Sequence, residues 1–159
     1  MNKVQSKHSS HQNTNVIDKT WLFENIHAKI ILINLVLKSA ICPTDLLHAT
    51  NIAGSTILIV ACEMDKYDLV KVLLNCKHCT KQTLLLQDVD GNTAFHIACK
   101  KQNFKIIKLF MQSFKCISKM FCVQNKKGYT PLHLMIKYSD KNDISLCKYV
   151  LSSKKLLRI

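Results

Sequence analysis

Residues 90–99 read DGNTAFHIAC and residues 127–136 read KGYTPLHLMI. The two phrases share Gly, Thr, an apolar residue and His at the same offsets, and a weaker copy, GSTILIVAC, occupies 54–62. Gly54, Gly91 and Gly128 recur every 37 residues, and so do Thr56, Thr93 and Thr130. A second block follows each phrase: YDLVKVLL at 67–74, FKIIKLFM at 104–111 and ISLCKYVL at 144–151. The last block arrives three residues late, after Tyr138, Ser139 and Asp140, which reads as a loop insertion. A fixed period of this length is the mark of stacked structural repeats, in which one unit buries its apolar faces only against its neighbours.

The register also runs backward. IILINLVL at 30–37 falls where YDLVKVLL shifted by one period would lie, and DLLHATNIAG at 45–54 parallels LLLQDVDG at 84–91. Ile17 stands where the first glycine would be. The chain therefore divides into a flexible polar N-terminus, 1–16, and four units: 17–53 (degenerate), 54–90, 91–127 and 128–159. Each unit reads as two short helices. Apolar residues at helical spacing place helices near 20–27, 29–39, 57–64, 67–75, 94–101, 104–113, 131–138 and 143–152. The Asp90-Gly91-Asn92 step marks a tight turn, and Pro131 suits a first helical turn, where a missing N–H costs nothing. Leu58, Ala61, Leu73, Phe95, Ala98, Ile107, Phe110, Leu132 and Leu151 are the expected core, with Trp21 packed into an N-terminal cap.

Composition bounds the rest. Of 159 residues 48% are hydrophobic, enough for the core of one domain, and three glycines with two prolines favour helices over sandwich turns. The formal charge of +13 points toward acidic partners. The lysines, Lys71, Lys105, Lys108 and Lys115 among them, are dispersed and read as a solvated face. No basic run is interleaved with aromatics, so nucleic acid is not the expected partner. Residues 1–16 carry no export signal, which makes the eight cysteines reduced thiols in the cytoplasm or nucleus. Cys62 and Cys99, one period apart, read as small core residues. Cys76, His78 and Cys79 have zinc-like local spacing, but no second Cys-x-x-Cys completes a ligand set, and loop thiols are expected. AKIILINLVL, 28–37, is about half a membrane span and reads as a buried helix. SSKKLLRI, 152–159, reads as a solubilising cap on the last helix. Phosphate-cradling glycine loops and spaced carboxylate pairs are absent from the sequence, so it makes no case for catalytic residues, a metal or a cofactor.

The phrase Gly-x-Thr-Pro-Leu-His-x-Ala resembles the ankyrin repeat over roughly residues 17–159, with GYTPLH and GNTAFHIA as its best copies. The resemblance implies an all-α solenoid of helix-turn-helix units joined by turn or hairpin connectors. It also implies that Thr93 and Thr130 cap the inner helices and that His96 and His133 hydrogen-bond to backbone of the adjoining unit. Ile59, Met135, Asp65 and Gln102 depart from the pattern, the last two standing where the family has glycine between its helices. More finely, GNTAFHIAC followed by KLFMQSFKCISK, together with the long connectors, is similar to the small IκB-like viral ankyrin proteins of polydnaviruses. That similarity implies constitutive binding of a Rel/NF-κB transcription factor and suppression of host immune signalling. A bacterial-type ankyrin effector, a basic adaptor for an acidic host protein, and charge-driven nucleic-acid binding are the alternatives.

In such an array the turn tips and inner-helix faces align into one stripe. Positions whose identity changes between units, while Gly, Thr and Leu hold, are those freed from packing. They are Asn51 and Ser55, then Val89, Asp90, Asn92, Lys100 and Lys101, then Lys126, Lys127, Tyr129 and Lys137. These are the expected contacts of a monomer with a protein partner, with no membrane involved.

Overall fold

The computed structural model describes residues 44–140 and 145–153. The polar N-terminus 1–16, the helices expected at 20–27 and 29–39, Trp21 and the tail from 154 lie outside the described residues. Within them run α1 (Thr44–His48), α2 (Ile57–Glu63), α3 (Tyr67–Asn75), α4 (Ala94–Lys100), α5 (Phe104–Gln112), α6 (Lys119–Cys122), α7 (Pro131–Tyr138) and α8 (Ser145–Leu151). A 3₁₀ turn, Thr83–Leu85, sits between α3 and α4. The expected helices match these to within about two residues at their ends. α2, α4 and α7 stack as an inner row, with α4 packed against both its neighbours; α3 and α5 pack together in the outer row. Among the described residues the only β-type pairing is an isolated bridge between Thr50 and Thr56.

The threonines start the inner row. Thr56, Thr93 and Thr130 hold extended backbone, and each hydroxyl accepts the N–H of the third residue on, which satisfies one of the donors a helix start leaves open. In the two later units the histidine reciprocates: Nδ1 of His96 and of His133 accepts the threonine N–H at 3.1 Å. With Nδ1 accepting, the proton of neutral His96 sits on Nε2, which donates to the Tyr129 carbonyl of the next unit at 3.1 Å. Here the expected link between units is present. His133 differs: it is exposed, and among the described residues it bonds Thr130, with no further described unit to offer it a carbonyl. Ile59 has no ring nitrogen to offer and is buried instead.

Three turns repeat one hydrogen-bond scheme. The Oδ1 atoms of Asn51, Asp88 and Asn125 each accept two backbone N–H groups two and four residues on. Between turns, Val89 N–H donates to the Ala53 carbonyl at 3.0 Å and Lys126 N–H to the Asp90 carbonyl at 2.9 Å. That approach leaves no room over Gly91: a Cβ there would lie 2.7 Å from the Lys126 nitrogen. Gly128 has nothing within 4 Å of such a Cβ, although its φ of +75° is as left-handed as the +79° of Gly91.

Asp65 and Gln102, where the family has glycine, also take φ near +55°, at 54° and 55°. A side chain there strains the backbone, and in both cases it reaches the next unit. The Asp65 carboxylate accepts from Lys101 Nζ at 2.6 Å and from Asn103 Nδ2 at 3.0 Å. Burial opposes its charge, but these two donors hold the carboxyl below its usual range. Gln102 Nε2 donates to the Met135 carbonyl at 2.8 Å. In the last unit Ser139 occupies this register with extended backbone, φ −66° and ψ 146°, as a loop insertion there requires.

The core contains seven of the nine expected residues, Leu58, Ala61, Leu73, Phe95, Ala98, Ile107 and Phe110. Leu132 is half-buried and Leu151 is 52% exposed. Both belong to the final unit, where no described neighbour covers the outer side. The connectors are not plain turns. Leu47 in α1, Leu84 in the 3₁₀ turn and Phe121 in α6 stand one period apart and are buried, so each connector inserts a short helical turn under the stack. Phe95 meets Phe110 and Phe121 edge-on, with ring centroids 5.5 and 5.4 Å apart. Lys115 is not a solvated lysine. It is 5% exposed, and its Nζ donates to the Leu74 and Cys76 carbonyls at 2.6 Å each. There its charge faces the negative C-terminal end of α3, where Cys76 is the cap residue.

Three outcomes follow from these contacts. Phe95→Ala should cost roughly 3–5 kcal/mol in a urea titration, as a large core truncation. Gly128→Ala should cost only about 1 kcal/mol, from backbone strain alone. Gly91→Ala should cost a further ~1–3 kcal/mol, because Lys126 must be pushed away; equal losses would refute the close approach of the two turns. His96 supplies a pH effect. Burial lowers its pKa below 6.5, against hydrogen bonds that raise it, so the folded state keeps the ring neutral while the unfolded chain takes up a proton. Its contribution is complete above pH 6.5 and declines as the pH falls from there toward the depressed folded value. His96→Gln should cost about 1–3 kcal/mol at pH 7.5 and lose less stability on acidification to pH 5.5. A parent and variant with parallel pH dependence would show that His96 titrates normally.

Candidate functional site

The stripe expected from the variable positions is brought together in part. Asp90, Asn92, Lys100, Lys126, Lys127, Tyr129 and Lys137 line one cleft of about 120 Å³ between the tips and the inner helices of the last two units. The turn scheme sets the tips, since Lys126 N–H is bonded to Asp90 and Asn125 Nδ2 donates to Asn92 Oδ1 at 2.9 Å. Lys100 and Lys137 arrive from the ends of α4 and α7, one period apart.

The cleft is basic and aromatic. Lys137 Nζ lies 4.5 Å from the Tyr129 ring centroid and donates to its hydroxyl at 3.3 Å. Lys100 Nζ and Lys137 Nζ both stand 6.0 Å from the Tyr138 ring. Four lysines thus surround one carboxylate, Asp90, and two tyrosine rings. The rings hold ammonium groups over their faces and leave the remaining N–H donors directed outward. Such an arrangement has the chemistry to accept carboxylate or phosphate oxygens with an apolar side chain beside them. Toward the N-terminal units two carboxylates, Glu63 and Asp88, stand near Lys100 and Lys101. Glu63 closes α2 near Asp88, and burial, with the Asp88 charge, raises the Glu63 pKa against the pull of Lys101 and Lys100.

Four expected residues lie elsewhere. Ser55 is only 2% exposed, because the turn folds it inward beneath the bridge of Thr50 to Thr56. Asn51 is committed to its own turn through Oδ1. Lys101 bends back to Asp65 and the Glu63 carbonyl, at 2.6 Å from each, and so joins units. Val89 is exposed at a tip outside the cleft. Three lining residues were not read from the sequence: Asn125, Leu134 and Tyr138. Asn125 was legible as the third member of the Asn51, Asp88, Asn125 period. Leu134 and Tyr138 sit one turn apart on α7, where spacing alone does not separate a cleft wall from core.

The thiols are placed for packing. Cys62 and Cys99 are fully buried on the inner row, and burial pushes both pKa values up. Cys79 is raised to about 11 by burial, despite the nearby Lys115 charge. Its N–H donates to the Cys76 carbonyl in a tight turn. No disulfide joins the described cysteines, and no group of three His, Cys, Asp or Glu side chains among the described residues is arranged to hold a metal ion. No helix among the described residues is long and apolar enough to cross a membrane.

A comparison with curated proteins found no match. The family described as Ankyrin repeats (3 copies) matches residues 23–119 and again 79–157. Together these matches span most of the chain, and the phrase, the two-helix unit and the 37-residue turn ladder accord with them: the chain belongs to the ankyrin-repeat family.

Proposed function

We propose that this ankyrin array is a non-catalytic protein-interaction module whose contact surface is the basic cleft of the last two units, and that its partner presents an acidic segment. The observation that carries the reading is the convergence of Lys100, Lys126, Lys127 and Lys137 on one cleft with a single carboxylate. Charge of this kind steers association and selects the partner more than it sets raw affinity. Tyr129, Tyr138 and Leu134 supply the apolar surface that turns attraction into a stable contact.

The narrower reading, an IκB-like inhibitor that holds a Rel/NF-κB factor in the cytoplasm or nucleus, draws on the resemblance of the middle units. The cleft adds a condition to it: a Rel factor would have to dock through an acidic surface. Two of the acids that could meet a basic segment are already engaged, Asp65 with Lys101 and Asp88 with its own turn, and Asp90 stands among the cleft lysines. A basic adaptor for an acidic protein needs no such condition and is the version the charge favours.

Affinity purification from candidate host cells, followed by mass spectrometry, identifies the partner, and recovery of a Rel factor would support the narrower reading. Against the recovered partner, Lys100→Glu with Lys127→Glu should lower affinity by about tenfold or more. The association rate of the parent should fall as salt rises. Unchanged affinity and rate, with circular dichroism intact, would remove the site from this cleft.

A further inference from the structure

The outer helices, with lysines expected to form a solvated face, carry a surface of their own. On α3, Tyr67 and Lys71 lie one turn apart; on α5, Lys105, Lys108 and Leu109 lie on one face. The two stripes face one another across a groove of two adjoining concavities, about 560 and 240 Å³, with Leu109 lining both. Phe114 closes the far end and is 81% exposed. It is also held in place. The next residue, Lys115, is anchored on the last carbonyls of α3, and its Nζ stands 5.2 Å from the Phe114 ring. The groove therefore has an aromatic side chain at each end, leucine in its floor and three exposed lysines along its sides. No carboxylate is among its described lining residues.

We propose that this groove docks an acidic amphipathic helix of a partner protein. Apolar anchors would fill the space between Tyr67 and Phe114 over Leu109, and carboxylates would meet Lys71, Lys105 and Lys108. The walls are nine-residue helices, each roughly 13 Å long, so two to three turns of a guest helix would fit along them. An anionic lipid surface would also meet lysines and exposed aromatics, but it would contact a flat or convex face rather than fill a groove between two helices. The surface is separate from the cleft near Lys100 and Lys137, so the array would engage partners on two sides.

The test is a display library of amphipathic helices with fixed leucine and phenylalanine positions and randomised polar positions, selected on the full chain. Helices rich in Asp and Glu should be enriched. A synthetic peptide of the enriched sequence should bind Phe114→Ala, and separately Lys105→Glu with Lys108→Glu, about tenfold more weakly than the parent. Lys100→Glu with Lys127→Glu should leave its affinity unchanged. All these side chains are exposed, so circular dichroism should not change, and the lysine pair tests the groove if Phe114→Ala does not fold. Enrichment of neutral or basic helices, no enrichment, or binding indifferent to both groove variants would overturn the proposal. So would binding confined to vesicles of equal parts phosphatidylcholine and phosphatidylserine.

Discussion

How closely one turn can approach the next sets every other spacing in this array. Lys126 N–H reaches the Asp90 carbonyl only because Gly91 has no side chain, and Val89 reaches Ala53 across a tight but less crowded Gly54, where a Cβ would lie 3.1 Å from the Val89 nitrogen. Once that contact forms, the threonine caps, the His96 bond to Tyr129 and the stacked inner helices fall into register one unit apart. The left-handed backbone of these glycines is a local requirement. The missing Cβ is a tertiary one, and Gly128 separates the two by having the first without the second.

Polar links then hold the units where apolar contact alone would let them slide. Gln102 and Asp65 accept a strained backbone and reach across to the next unit. Lys115 reaches back across the array to close the end of α3. None of these three adopts the role that residue type and exposure statistics assign it, and all three act between units rather than within one. Surface charge is consequently of two kinds. Lys101 and Lys115 are structural, whereas Lys100, Lys126, Lys127 and Lys137 surround the cleft with little to neutralise them.

This division bears on function. A net charge of +13 describes the whole chain and cannot distinguish a solvated face from a binding surface. Stacking supplies the arrangement that the total charge lacks. It gathers four lysines and two tyrosines at the inner tips, and it places three more lysines around an apolar groove on the outer side.

The repeat, its period, the positions of six helices and most of the core were legible in the residues, because Gly, Thr and the apolar pairs recur at intervals that local geometry dictates. So were seven of the residues that line the cleft, from the simple criterion that packed positions repeat and free ones vary. That criterion failed at Ser55 and Lys101 for the same physical reason: a position can vary between units and still be occupied, one by folding inward and the other by bonding the unit before it. Leu132 and Leu151 were misplaced because the pattern of a repeat does not reveal that it is the last described one, with no neighbour to cover it. The helical turns within the connectors, the exposed Phe114 held by a buried lysine, and the groove between α3 and α5 depend on atoms about one period apart in the chain. Sequence determined what each unit is; which of its polar groups meet solvent and which meet the next unit was decided only when the units stacked, since burial and hydrogen bonding there are properties of the pair.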